Sequence, residues 1–206
     1  MPRLESRSES ILPILNYDER KLSPSFGYFF DARWLAPYES IVGILWKFAR
    51  MNALPGPTVT RQLRPLPFNP YEGVAPTLQD VDVRGLSRTL RVTQKCLRIS
   101  LGRTQGPNLP GPCLTYCHRC LALGFHSVVH QRLGATHCPI HGDGLEQACR
   151  ACGHVSPYWL HAHLLDAPFR CARCRRPYGR ATFSRIGSRP LPAVMRTAVT
   201  RAYLLS

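Results

Sequence analysis

Nine cysteines punctuate this 206-residue chain, and six of them come as pairs two residues apart. Cys117-His118-Arg119-Cys120 is the first pair, Cys149-Arg150-Ala151-Cys152 the second and Cys171-Ala172-Arg173-Cys174 the third. Cys138-Pro139-Ile140-His141 has the same spacing, with His in place of the second thiol. Two ligands so spaced can reach one ion from a single tight turn, and facing turns complete a tetrahedron, the coordination that zinc prefers. Seventeen residues separate Cys120 from Cys138 and eighteen separate Cys152 from Cys171. These matched gaps favour sequential pairing over a crossed one. They predict one site of three cysteines and a histidine (Cys117, Cys120, Cys138, His141) and one of four cysteines (Cys149, Cys152, Cys171, Cys174), holding two structural zinc ions. With all four positions filled by protein, neither site keeps the open coordination that catalytic zinc uses. A rubredoxin-like iron centre also accepts four thiolates, but the His ligand and the intervening hairpins argue against it. Gly142 and Gly153, directly after His141 and Cys152, suit the tight backbone of a knuckle.

Other candidates are weaker. His118, His137 and His154 adjoin proposed ligands and are expected at the surface or behind a ligand. Cys96 is expected to pack in a helical core, and Cys113 to be a free thiol. His126 and His130, if their stretch is a strand, project to one face as a packed pair. The chain has no phosphate-binding Gly-rich loop, no nucleophile elbow and no cluster of carboxylates spaced to hold Mg2+; twelve acids in all make such a centre improbable. The sequence predicts a binder and not an enzyme.

These sites need elements to carry them. Ile41, Ile44, Leu45 and Phe48 recur at helical spacing within 37–50, with Pro37 suited to a first turn and Glu39 to the positive end of the helix. Residues 55–76, rich in Pro, read as a loop. Thr77-Leu78-Gln79-Asp80 has the form of a capping box and predicts a second helical region starting at Thr77. Within it, Leu86, Leu90, Val92 and Leu97 follow the apolar pattern of a helix-turn-helix, with Thr93 as N-cap of the second helix. Arg91 stands where Gly is common in the turn. Gln94, Lys95 and Arg98 would face outward, competent for phosphate or base contacts. Gly102 to Pro112 reads as a linker. The expected organisation is α+β: a partly ordered lead-in over 1–33, a helical domain with a helix-turn-helix over 34–104, and a double zinc-binding domain over 105–206 ending in a basic segment.

Charge favours an anionic partner. Lysines and arginines number 27 against 12 acids, a formal +15, and 24 of the cations are Arg. Seven thiolates against two Zn2+ would lower this to about +12, still strongly basic. After residue 112 there are 12 cations against 3 acids. Arg173, Arg175 and Arg176, around the last knuckle, join Gln94, Lys95 and Arg98 as expected contacts to DNA or a protein partner. No apolar run approaches a membrane span and the first ten residues lack an apolar signal core, so a cytoplasmic, nucleoid-associated protein is expected.

The order of features resembles the TniQ family, the targeting proteins of transposition systems. Ala36-Pro37-Tyr38-Glu39-Ser40-Ile41, leading to Ala49-Arg50-Met51-Asn52, looks like the family's opening Glu-Ser helix. A helix-turn-helix-like segment follows. Cys117-x-x-Cys120-Leu121, Gly124-Phe125-His126-Ser127, His130-Gln131, Cys138-Pro139-Ile140-His141-Gly142, Leu145 and Cys149-x-x-Cys152-Gly153 look like its zinc signature. The likeness covers roughly 34–180 and is most specific over 117–153. It implies a non-catalytic adaptor that links target recognition to a AAA+ ATPase regulator and, through it, to the transposase. In some systems of this kind the target is DNA; in others it is an RNA-guided CRISPR effector complex. A homodimer is compatible with this role. The alternative is a zinc-ribbon, helix-turn-helix transcriptional regulator.

Overall fold

The computed structural model describes residues 27–64, 68–102, 109–179 and 190–205. Most of the expected lead-in and much of the basic segment after 179 lie outside them. Seven α-helices occur among the described residues: α1 (Ile41–Met51), α2 (Gly56–Thr60), α3 (Val83–Leu90), α4 (Gln94–Ser100), α5 (His118–Ala122), α6 (Ala162–Leu165) and α7 (Ala193–Leu204). Extended pairing among these residues is limited to isolated antiparallel bridges, such as Tyr116 with Glu146 and Ala148 with Val155. The molecule is therefore mixed, with much helix and little strand.

Helix α1 is the axle. Every residue from Ile41 to Ala49 is buried, so the helix is enclosed on all sides instead of showing one apolar stripe. The sequence places its start at Pro37, but Ser40 is the N-cap, its hydroxyl accepting from Gly43 N at 3.1 Å. Glu39 is not at an exposed positive helix end. It is buried, with Lys47 Nζ 2.7 Å from Oε1 and donating to Oε2 at 2.8 Å.

Two other expectations are corrected. The capping-box bonds do form, Asp80 N donating to Thr77 Oγ1 at 3.2 Å and that hydroxyl to Asp80 Oδ2 at 2.6 Å. They close a turn only, because Asp82 N is drawn to Leu63 O at 2.6 Å and leaves the helical path. Helix α3 starts at Val83, capped by the Asp82 side chain on Gly85 N. Within 55–76, read as a loop, α2 forms: Pro57 sits in its first turn, where a missing N–H costs nothing.

Helices α3 and α4 are joined through Arg91, which adopts a left-handed φ of 54° where Gly would be unstrained. Thr93 caps α4, accepting from Cys96 N. Leu86, Leu90 and Leu97 are fully buried and Val92 nearly so, while Gln94, Lys95 and Arg98 are exposed.

One apolar core unites residues from both sides of 102–112: Trp46, Leu86 and Leu97 share it with Tyr116, Leu160, Leu164 and Phe169. Trp46 Nε1 donates to Leu164 O at 2.8 Å, and its ring meets Phe169 at 5.1 Å. Helix α2 packs closely on α6. A Cβ on Gly56 would overlap Ala162 O, so only Gly permits the approach. A second core surrounds Cys117, Cys120 and Cys138, closed by Phe125, Val129 and, from α7, Val199.

Candidate metal centres

Three of the four knuckles share one backbone device. Cys138 N, Cys149 N and Cys171 N donate to the carbonyls five residues on: Asp143, His154 and Arg176. The carbonyls of the same cysteines accept from Gly142, Gly153 and Arg175, four residues on. The fourth residue must then turn left-handed, with φ of 70°, 70° and 60°. Gly supplies this freely twice; Arg175 adopts it at a cost of about 1 kcal/mol. Each of these turns is flanked by one antiparallel bridge, His137 with Gly144, Ala148 with Val155 and Arg170 with Pro177. The Cys117 knuckle is built differently: Cys117 is the N-cap residue of α5, and Cys120 O accepts from Phe125 N at 3.0 Å.

These turns gather the ligands in two clusters, Cys117, Cys120, Cys138 and His141, and Cys149, Cys152, Cys171 and Cys174, each with donor atoms within 4.8 Å of one another. Tetrahedral zinc with bonds of about 2.3 Å to S and about 2.0–2.1 Å to N has S···S edges of roughly 3.8 Å and S···N edges of roughly 3.6 Å. In the first cluster Cys120 Sγ lies 3.6 Å from Cys138 Sγ. His141 Nδ1 lies 3.4, 3.3 and 3.7 Å from the sulfurs of Cys117, Cys120 and Cys138. In the second, Cys149 to Cys174 and Cys152 to Cys171 are both 3.7 Å. The sulfurs are well beyond disulfide distance, and the edges fit the ion. The clusters could hold two zinc ions, with the sequential pairing.

The local electrostatics fit a cation. In the first cluster, hydrogen bonds from the Cys120 and Cys138 sulfurs pull the Cys117 thiol far down while Cys120 is pushed up, so crowded sulfurs oppose one another's ionisation. A divalent ion relieves that conflict. In the second, the backbone N–H of Arg176 brings the Cys174 thiol down to about 7, whereas burial lifts Cys171 to about 12.

His126 and His130 do not lie on a strand. Ser127 N donates to His130 Nδ1 at 3.3 Å, which closes a turn and fixes the tautomer with a proton on Nε2. That nitrogen lies 3.4 Å from Cys138 Sγ, behind the first cluster. His126 Nε2 donates to Thr115 O at 2.8 Å, so its Nδ1 accepts the Ser40 hydroxyl at 2.6 Å. Both rings are fully buried, and burial pushes them down to about 4 for His126 and about 3 for His130. Gln131 completes the link: its Oε1 accepts from Thr115 N, and its Nε2 donates to the carbonyls of Gly111 and Cys113. Sequence spacing singled out the two histidines but gave no sign that Ser40, 86 residues away, is the partner.

Among the remaining candidates, His118 is half-buried against Glu146 (3.1 Å), and His137, exposed, contacts Thr136. Cys96 sits half-buried at the edge of the main core, its thiol pushed up by burial, and Cys113 is also half-buried. Arg173 and Arg176 are exposed. Arg175 is committed to Asp166, donating to its carbonyl at 2.8 Å and its carboxylate at 2.9 Å. Gln94, Lys95 and Arg98 lie together on α4, apart in sequence from these arginines. Among the described residues no helix is long and apolar enough to cross a membrane. No protein-family model matches the chain, and no curated protein matches it.

Proposed function

We propose that this chain is a non-catalytic targeting adaptor of DNA transposition, resembling the TniQ family, that holds two structural zinc ions. It joins recognition of a target, on DNA or on an RNA-guided complex, to a AAA+ ATPase regulator that engages the transposase. One observation carries the reading: the separated stretches of the resemblance meet in a single buried network. Glu39 bridges Ser127, Ser40 bonds His126, and His130 backs Cys138. Residues that resemble a family signature thus touch one another in one scaffold, which supports the reading.

In this reading the zinc ions hold the scaffold, and α3 with α4 form a helix-turn-helix displayed on it. Leu97 anchors α4 to the core while Gln94, Lys95 and Arg98 project outward as its contact face. The absence of acidic clusters in the sequence suits a binder.

The test is affinity capture of the tagged full chain from its native host, with bound proteins identified by mass spectrometry. The expected result is a AAA+ ATPase, with or without a guide complex. Arg98→Ala should leave the fold intact and weaken binding to DNA or partner. Tight binding of a discrete operator with no ATPase recovered would instead make the chain a transcriptional regulator.

A further inference from the structure

Beside the second metal cluster lies a cavity of about 350 Å3 whose walls include Cys149, Arg150, Arg176, Tyr178, Gly179 and, next to Cys117 in the chain, His118. We propose that it seats a phosphodiester of a nucleic-acid backbone, gripped by Arg150 and Arg176. The proposal rests on the reading that this chain meets nucleic acid, and it names where one phosphate goes.

The cavity is built on fixed backbone. Arg176 accepts from Cys171 N at 2.9 Å and so belongs to the fourth knuckle, while Arg150 follows Cys149 in the third. Gly179 closes the far wall against α5: a Cβ there would lie 2.6 Å from both Ala122 Cβ and His118 O. The Tyr178 hydroxyl is turned to Ser156 at 3.5 Å, and Pro177 beside it offers apolar surface on which a sugar can rest.

The charge balance selects an anion. Glu146, the acid at this rim, is already engaged by Arg150 and by His118. Arg175 is engaged by Asp166. The Arg176 side chain is exposed and has no hydrogen-bond or ion-pair partner among the described residues. Over 146–179 there are five arginines and two acids. A zinc tetrathiolate contributes a further two negative charges and leaves the region positive. The unpaired Arg176 fork can take two oxygens of a phosphate, while Arg150, held through Nε by Glu146 and through Nη2 against His118 at 3.0 Å, offers only its remaining N–H groups. A diester brings one charge into this modest surplus.

The test uses the full zinc-loaded chain and a short fluorescent DNA duplex of arbitrary sequence, with anisotropy measured over a series of salt concentrations. Arg176→Gln and Arg150→Gln should each weaken binding about tenfold and flatten the plot of log affinity against log salt by about 0.9. Arg176→Lys should restore the slope with only part of the affinity, because a point charge lacks the fork. Unchanged zinc content and melting in the variants exclude misfolding, and Arg176→Gln removes no hydrogen bond or ion pair among the described residues. Unchanged affinity and slope in the double variant would overturn this site and leave the nucleic-acid reading standing. Failure of the unsubstituted chain to bind the duplex would overturn both.

Discussion

Replacing Lys47 by Met isolates one buried charge. The side chains of Lys47 and Glu39 are 5% and 1% exposed, and the ammonium also donates to Trp34 O at 2.6 Å. Burial already raises the Glu39 carboxyl above its ordinary value, opposed first by the Lys47 charge and then by the Ala36 N–H at 3.0 Å. Met fills similar space and removes the main opposing charge. An exposed pair would lose at most about 1 kcal/mol, but an uncompensated buried charge costs about 3–5 kcal/mol. The carboxylate can escape only by taking a proton, which fixes the sign of the pH dependence. A folded-state value raised above the unfolded one stabilises at low pH, and that stability is lost as pH rises through the folded value. Lys47→Met should therefore fall furthest below the unsubstituted protein on the alkaline side and recover part of the gap on acidification. Urea denaturation followed through tryptophan fluorescence, with zinc saturating, measures this. Glu39→Gln with Lys47→Met should recover most of the loss, since the neutral amide can still accept from Ala36. A cost below about 1 kcal/mol on the alkaline side, or a gap that widens on acidification, would refute the buried-charge account.

Ser40→Ala removes the cap on Gly43 and strands His126 Nδ1, and should cost about 2–4 kcal/mol in the same denaturation assay. His126 is held down at about 4, so the unfolded chain takes up its proton first as pH falls below about 6.5; stability should decline from there toward about pH 4. His126→Gln should make that decline shallower in zinc-saturated protein. Gly56→Ala should cost about 3 kcal/mol, because its Cβ meets Ala162 O and Asp166; a neutral melt would mean that α2 and α6 are not held at this approach.

The candidate ligands were legible because their chemistry is local. Two ligands three positions apart specify a turn, and Gly142 and Gly153 mark the left-handed residue that the turn requires. Gln94, Lys95 and Arg98 were legible as an exposed face for a similar reason, since Leu86, Leu90 and Leu97 fix the inner one. Tertiary partners decided what was not legible. The Thr77 box makes its bonds, yet Leu63 O takes Asp82 N and delays the helix to Val83. Glu39 looked like a helix-dipole residue until the fold enclosed it with Lys47. The helix α6, four residues long, carries no periodic signal, but it accepts the Trp46 indole and packs on α2. Arg175 takes the position that Gly holds in two other knuckles, so its left-handed backbone was hidden by residue type.

The central claim is that both clusters are filled by zinc. Metal analysis of the full chain purified without added metal, by inductively coupled plasma mass spectrometry, tests it most directly. The account predicts two zinc ions per chain, falling to about one in Cys171→Ser, with cooperative unfolding lost when a chelator removes them. A folded, soluble chain with no zinc, with iron in its place, or with two zinc ions retained in Cys171→Ser would contradict it.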